Sequence, residues 1–166
     1  MNRRLGLNKK RGVGLVEVIV GSAILAVVLF AFTSSLSLYS RANADATSRS
    51  QALYLAEEAL EVVRGLRDSG WTTRIATVPV DTDYGISFDI ENSVWTLVPS
   101  PDTVEEFTRT LTFRDVYRDS DDNIVADASE SYDPDSRILE VEVVWSGLQE
   151  PQRVRLESIV TNTFEY

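Results

Sequence analysis

One carboxylate, Glu17, lies inside the most apolar stretch of the chain, residues 13–32. A charged side chain in a membrane-spanning segment costs at least about 2.5–3.5 kcal/mol on insertion scales, so such residues usually have a function. The chemistry open to this carboxylate is electrostatic, because a partner of opposite charge recovers much of the desolvation cost. The group that pairs with Glu17 therefore decides what the segment does.

The segment around Glu17 has the length and the flanking charges of a membrane helix. After Gly14, only Glu17, Gly21 and Ser22 interrupt residues 13–32, and roughly twenty residues suffice to cross the hydrocarbon core. Basic residues precede the segment and few follow it closely, which predicts a cytoplasmic N terminus. A secretory signal peptide is the alternative, but its apolar region is shorter, about 7–15 residues. The preceding basic residues are Arg3, Arg4, Lys9, Lys10 and Arg11.

The composition excludes several kinds of site. The 166 residues include no cysteine and no histidine, so disulfides, thiolate metal sites and an imidazole base are excluded. Residues 13–166 hold 26 acidic residues and 11 arginines, a net charge of −15. Such an acidic body argues against direct nucleic-acid binding, which depends on clustered lysine and arginine. Both lysines precede residue 13, which leaves no Ser–Lys pair in the body. We predict no catalytic residues and no enzyme activity.

Residues 40–70 continue the helix with an amphipathic pattern. Apolar residues recur at spacings of three and four, which predicts one apolar face. These residues are Leu53, Ala56, Leu60 and Val63. The charged residues that fall mostly on the other side are Glu57, Glu58, Glu61 and Arg64. The pair Ser69-Gly70 predicts the end of the helix.

Residues 71–166 have the composition of a β-rich domain. Five runs of β-branched and aromatic residues, several with period-two alternation, predict strands. These runs are residues 84–90, 93–99, 107–118, 137–145 and 153–164. The prolines at positions 79, 99, 101, 134 and 151 are expected in the loops between them.

The fourth run predicts how the sheet is covered. Leu139, Val141 and Val143 face one way, while Glu140 and Glu142 face the other. This alternation is typical of an antiparallel sheet with one buried face. The predicted fold class is therefore α+β, with a long N-terminal helix packed on a small antiparallel sheet.

The stretch "KKRGVGLVEVIV" resembles the class III leader of type IV pilins and pseudopilins. That leader is short and basic, ends in glycine, and is followed by an apolar helix with a glutamate five residues after the cut. The resemblance implies cleavage between Gly12 and Val13 by prepilin peptidase, with N-methylation at Val13. Glu17 would be the fifth residue of the mature chain. The wider pattern of a long helix and a small antiparallel sheet also looks like a pilin.

Within that family the chain most resembles a minor pilin of the type IV pilus modification kind. The resemblance implies a single-pass inner-membrane protein with its head outside, later part of a cell-surface filament. Its implied partners are other pilin subunits, prepilin peptidase and the pilus assembly machinery. Three alternatives stay open: a type II secretion minor pseudopilin, an uncleaved, membrane-anchored surface binding domain, and a calcium-dependent binding module that uses the acidic residues 119–130. The predicted segments are a leader (1–12), a transmembrane half-helix (13–39), an amphipathic half-helix (40–70) and a β head (71–166).

Cleavage would give Glu17 its partner. The peptide nitrogen of Val13 is uncharged before cleavage and becomes an ammonium with a pKa of about 7.7–8.0 afterwards. Pairing with the terminus of a neighbouring subunit would offset the desolvation of Glu17 and fix the axial register between helices. The alternative is a carboxylate at the headgroup boundary that is solvated and has no partner.

An acidic stretch, residues 119–130, allows two interpretations. Oxygen-bearing side chains occupy positions 1, 3, 5, 9 and 12 of a twelve-residue calcium loop, with the Val125 carbonyl at position 7. Ile124 stands where such a loop needs glycine, and helical flanks are not apparent. The other interpretation, an acidic hairpin loop, is the one we expect, and with it no cofactor. The calcium candidates are Asp119, Asp121, Asn123, Asp127 and Glu130.

Overall fold

The computed structural model describes residues 14–147 and 150–163, and the chain divides into two compact units, Met1–Ala44 and Asp45–Tyr166. Within the described residues two helices precede seven strands. The helices are α1 (Leu15–Asp68) and α2 (Trp71–Arg74). The strands are β1 (Asp83–Asp89), β2 (Val94–Val98), β3 (Asp102–Val104), β4 (Phe107–Arg118), β5 (Ile124–Val125), β6 (Ser131–Ser146) and β7 (Pro151–Thr161).

The first unit contains the apolar part of α1. By length and composition α1 is the one helix among the described residues that could cross a membrane. The side chains from Leu15 to Ala44 are all exposed, so this part of the helix has no core of its own. The hydroxyls of Ser22, Thr33 and Ser37 donate to carbonyl oxygens three or four residues earlier, at 2.5–3.1 Å. These bonds satisfy the polar side chains inside the helix, as a lipid environment requires.

The second unit is built around an antiparallel sheet with strand order β2-β1-β4-β6-β7. Its centre is the pairing of β4 with β6, which runs from Thr108↔Val144 to Arg118↔Ser131. β7 pairs along the other edge of β6, while β3 and β5 add short pairings to β4. The sheet and the long helix confirm the predicted α+β class.

The second half of α1 packs on this sheet through small residues. Its buried side chains are Ala52, Ala56, Ala59, Val62, Val63 and Leu66. The prediction that Leu53 belongs to this face is wrong, because Leu53 is 38% exposed. Leu60 is half-buried at the edge of the core. Because alanine side chains are small, they let the helix backbone lie close to the sheet. In a closely packed interior these positions hold alanine, and the larger Leu53 lies outside the core.

The central strands alternate between the core and solvent. On β6, Leu139, Val141 and Val143 are fully buried, as the alternation of the sequence predicts. Phe107 and Phe113 of β4 are buried on the same side of the sheet. The apolar core of the second unit therefore lies between α1 and this face of the sheet.

The other face of the sheet carries a network of charged side chains. Arg155 of β7 contacts Glu140 at 3.2 Å and Glu142 at 3.0 Å, and Arg114 of β4 pairs with Glu140 and Glu157. Exposed pairs of this kind contribute about 0–1 kcal/mol each. Their position identifies this face as the solvent side and explains why glutamates alternate with core residues on β6.

Two prolines lie within strands, contrary to prediction. Pro151 is the first residue of β7, where a missing N–H is tolerated. Pro134 lies inside β6, where the register with β4 shifts between Asp115 and Val116. Such an irregularity accommodates a residue that cannot donate to the ladder. β6 thus extends past Pro134 and begins at Ser131, six residues before the predicted run 137–145.

We expect a fragment that begins at Ala42 to fold without the apolar half of α1. The compact second unit starts at Asp45 and contains both the buried face of α1 and the sheet. The fragment should be soluble and monomeric, since its strong negative charge opposes association. Circular dichroism should show mixed helix and antiparallel strand. A purely helical spectrum or persistent aggregation would contradict this prediction.

Candidate functional site

Glu17 lies in the first turn of α1, at the start of the apolar segment. Its backbone N–H donates to the Gly14 carbonyl at 3.0 Å, and the N–H of Val18 donates to the same oxygen at 3.3 Å. A carboxylate in the first turn interacts favourably with the positive end of the helix dipole, by about 0.3–1 kcal/mol. Glu17 therefore lies at the N-terminal end of the apolar helix.

The carboxylate of Glu17 is available to an external partner. The Glu17 side chain is exposed, and no ion pair joins it to any residue of the described ranges 14–147 and 150–163. Gly12 and Val13, the predicted cleavage and methylation residues, lie outside the described residues. Of the three residues predicted for processing and assembly, the structure therefore describes the position of Glu17. The roles of Gly12 and Val13 stay predictions.

The surface around Glu17 is apolar on all sides of the helix. Leu15 is 78% exposed, Val16 71% and Phe30 76%, and none of the first-unit side chains that the structure describes is buried. A helix that is hydrophobic all round requires lipid or other helices as its surroundings. A cation that meets Glu17 there would do so in a medium of low dielectric constant, where opposite charges attract more strongly than in water. This arrangement suits helix-to-helix assembly.

A second cluster, centred on Arg109, lies in the core of the second unit and was not predicted from the sequence. Arg109 points from β4 toward α1, and its side chain is only 3% exposed. Its guanidinium bonds the Asp102 carboxylate through Nε at 3.2 Å and Nη2 at 2.7 Å. Nη1 donates to the Glu58 carboxylate at 2.7 Å and to the Leu55 carbonyl at 3.0 Å. This Arg109 cluster ties the helix to β3 and β4.

The guanidinium of Arg109 keeps its positive charge although it is buried. Burial alone would lower the pKa of Arg109, but hydrogen bonds and charges from Asp102 and Glu58 outweigh burial and raise it. Asp102 also accepts a bond from the Ile86 N–H at 3.0 Å, so β1 joins the network. The only signal in the sequence was the arginine at an inward-facing position between Phe107 and Leu111.

A second buried arginine, Arg137, lies beside the irregularity in β6. Its guanidinium is 3.4 Å from the Asp115 carboxylate and 5.4 Å from the centre of the Tyr132 ring. It also donates to the Ser136 carbonyl at 3.1 Å. These contacts hold the bulged part of β6 against β4, which is a structural role.

The candidate calcium loop, residues 119–130, begins with a tight turn between β4 and β5. The Asp119 carboxylate accepts bonds from the N–H groups of Asp121 and Asn123, both at 2.9 Å, and from the Asn123 amide. These bonds, chiefly those from Asn123, lower the pKa of Asp119. Asp122 adopts a left-handed φ of 64°, typical of a turn residue. The Asp119 oxygens thus face hydrogen-bond donors of the turn.

The other calcium candidates also take part in local turns. Asp127 accepts bonds from the N–H and hydroxyl of Ser129 at 2.9 and 2.8 Å, and the N–H bond chiefly lowers its pKa. Among the residues that the structure describes, no group of three or more acidic side chains is arranged to hold a metal ion. This geometry favours the hairpin interpretation.

We predict that calcium does not bind the loop specifically. Millimolar calcium and magnesium should each leave the melting temperature of the fragment from Ala42 unchanged or raise it equally, because screening does not distinguish them. Specific coordination would distinguish them, since magnesium demands a tighter octahedral geometry. A stabilisation seen with calcium alone would show that the five oxygen-bearing residues bind it.

Comparison with known protein families gives one match, at the N terminus. Residues 7–33 match the family described as the prokaryotic N-terminal methylation motif. The match includes Gly12, Val13 and Glu17, and it confirms the prepilin-type leader predicted from the sequence. No curated protein and no solved structure matches the chain.

Proposed function

We propose that this chain, which carries the methylation motif of the type IV pilin and pseudopilin family, is a minor structural subunit of a type IV pilus. The observation that supports the proposal most is the match over residues 7–33, directly before and within a helix long enough to cross a membrane. Members of this family are substrates of prepilin peptidase and structural components. The proposed function is accordingly assembly and not catalysis.

Processing would begin in the membrane. The basic leader would stay on the cytoplasmic side, and the head would lie outside. Prepilin peptidase would hydrolyse the bond between Gly12 and Val13, and the freed amine of Val13 would then be methylated. The leader, with five of the 16 basic residues, would be lost at this step. The proposed segments remain 1–12, 13–39, 40–70 and 71–166.

Assembly would then depend on Glu17. The exposed apolar surface from Leu15 onward would pack against the helices of neighbouring subunits. In that apolar environment an unpaired carboxylate is unfavourable, and the ammonium of Val13 on another subunit is a suitable partner. Because Glu17 lies at a fixed place on the helix and Val13 precedes it by four residues in the sequence, their pairing would set the axial register between subunits.

A second candidate function is supported by the same match. A minor pseudopilin of a type II secretion system would carry the same leader, the same apolar helix and the same glutamate. The two functions differ in the filament that the subunit joins, so the discriminating observation is the phenotype of the cell. The described residues of the head do not distinguish them.

Deletion of the gene in the native host separates the candidates. If the pilus proposal is correct, the deletion should reduce surface filaments, and immunoblots should detect the chain in filaments sheared from wild-type cells. Protein secretion should continue. Retention of exported proteins inside the deletion strain, with normal surface filaments, would instead favour the pseudopilin function.

A further inference from the structure

A cleft of about 480 Å³ opens between the last turns of α1 and the β1–β2 hairpin. Its apolar lining includes Val62 and Leu66 from α1 and Val94 and Trp95 from β2. The volume lies within the range of about 300–1,000 Å³ that is typical of binding pockets. This cleft belongs entirely to the second unit and is not part of the N-terminal assembly segment.

Gly65 is part of this lining, and no contact among the residues that the structure describes explains why it is glycine. A Cβ added at Gly65 would meet no atom within 4 Å, and the residue has no left-handed φ. Glycine inside a helix is destabilising by roughly 0.5–1 kcal/mol relative to alanine. Glycine is used where another group must approach the backbone closely. Gly65 therefore points to an occupant that lies against the α1 backbone.

The apolar surface continues from the cleft along the hairpin. Trp95 is half-buried, and its ring packs at 5.2 Å from that of Phe88. Phe88 is 44% exposed and Ile90, just beyond it, is 82% exposed. Exposed apolar residues that adjoin a cleft are typical of protein–protein contact sites.

The charges around the cleft restrict what can occupy it. The lining includes the carboxylates of Glu58 and Glu61 and the guanidinium of Arg74. Glu58 is already paired with the buried Arg109. Glu61, whose side chain is 76% exposed, pairs with Arg64 of its own helix at 3.2 Å, an exposed ion pair that a basic group of a partner can replace. The second unit is strongly acidic, so the head of another copy would be repelled. A partner that brings positive charge would be attracted by the same field.

We propose that this cleft binds a segment of a second, different protein that presents a large apolar side chain beside lysine or arginine. The apolar side chain fills the space over Gly65 and contacts Trp95, and the basic group pairs with Glu61. This proposal goes beyond the proposed filament function. It rests only on residues 45–163, and it applies whether the chain is part of a type IV pilus or of a type II secretion pseudopilus.

Three short peptides of equal length test the proposal on the full chain in phosphatidylcholine nanodiscs. One carries leucines flanked by arginines, the second has glutamate in place of arginine, and the third has serine in place of leucine. The first should bind at least about tenfold more tightly than either of the others. Fluorescence anisotropy of labelled peptides measures the affinities, with empty nanodiscs as the blank.

Two variants and a matched control assign the binding to the cleft. Gly65→Leu places a side chain in the open space and should lower the affinity for the first peptide at least about tenfold, with an unchanged or higher melting temperature. Glu61→Lys should reduce the advantage of the arginine peptide over the glutamate peptide. Ser50→Leu adds the same side chain at an exposed position of the same helix and should change nothing.

Several results would overturn the proposal. Equal affinities for the arginine and glutamate peptides would show that the cleft binds apolar side chains but does not prefer a basic partner, which contradicts the proposal. Full binding by Gly65→Leu, or no binding of any peptide by the parent chain, would show that the cleft is not the site. Concentration-dependent dimerisation that Gly65→Leu abolishes would assign the cleft to a second copy of this chain.

Discussion

Glu17→Val should leave the protein in the membrane and lower its incorporation into filaments at least about tenfold. Valine removes the cost of placing a charge in lipid, so insertion should be as good as in the parent chain or better. The same change leaves the ammonium of Val13 without its proposed partner. Loss of one member of a buried ion pair is strongly destabilising, because the other charge stays uncompensated.

The matched control for this experiment is Ser22→Val. It also replaces a polar residue of the apolar segment with valine, but the Ser22 hydroxyl bonds only the Ile19 carbonyl of its own helix, at 2.9 Å. This variant should assemble normally. Immunoblots of sheared filaments and of membrane fractions give the two quantities for each variant. Normal incorporation of Glu17→Val would show that Glu17 has no pairing role and lies solvated at the headgroup boundary.

Asp102→Ala should lower the free energy of unfolding of the second unit by about 3–5 kcal/mol. The Asp102 side chain is 16% exposed and is the bidentate partner of Arg109, which is 3% exposed. Without Asp102 a buried guanidinium loses two of its hydrogen bonds, and the Ile86 N–H loses its acceptor. The remaining partners, Glu58 and the Leu55 carbonyl, satisfy only Nη1.

Glu58→Ala is the comparison that tests this explanation. Glu58 also contacts Arg109 at 2.7 Å, but its side chain is 44% exposed, so water can replace it. Its removal should cost only about 1 kcal/mol or less. Denaturant unfolding followed by tryptophan fluorescence suits the measurement, since Trp71 and Trp145 are buried. Equal losses in the two variants would contradict the central role given to burial of the Arg109–Asp102 pair.

The regular elements could be predicted because their signals are local. Alternation along β6 identified the buried residues Leu139, Val141 and Val143. The helical composition before Ser69-Gly70 predicted that the helix continues to the end of α1 at Asp68. The short strands β3 and β5 were missed because two or three residues give no periodicity to detect. Each of these short strands forms by pairing with the much longer β4, a contact that the sequence of the short strand does not reveal.

Arg109 and Leu53 show what local patterns could not supply. Arg109 is stabilised in the core by Asp102 and by Glu58, which lies 51 residues away along the chain, and only the fold brings these groups together. Leu53 was assigned to the core because it continues the three- and four-residue spacing of Ala56, Leu60 and Val63. At this level the helix instead buries Ala52, Ala56 and Ala59, and only the three-dimensional packing decides which of its adjoining apolar residues face the sheet.

The residues of the candidate processing site could be predicted for a different reason. Gly12, Val13 and Glu17 were predicted from a short motif, and the match over residues 7–33 supports that motif without any reference to the head. Such a motif is recognisable because peptidase recognition depends on a contiguous stretch. The roles of the three residues stay predictions.

The N terminus of the protein in its native host tests the central claim most directly. Intact mass and N-terminal peptide mapping should be performed on membrane-extracted protein from cells with and without prepilin peptidase. We predict a chain that begins at Val13, with a methylated amine, in cells that contain the peptidase, and the full 166-residue chain in cells that lack it. Full-length protein as the only species in both would contradict the pilin account and favour a permanently anchored surface domain.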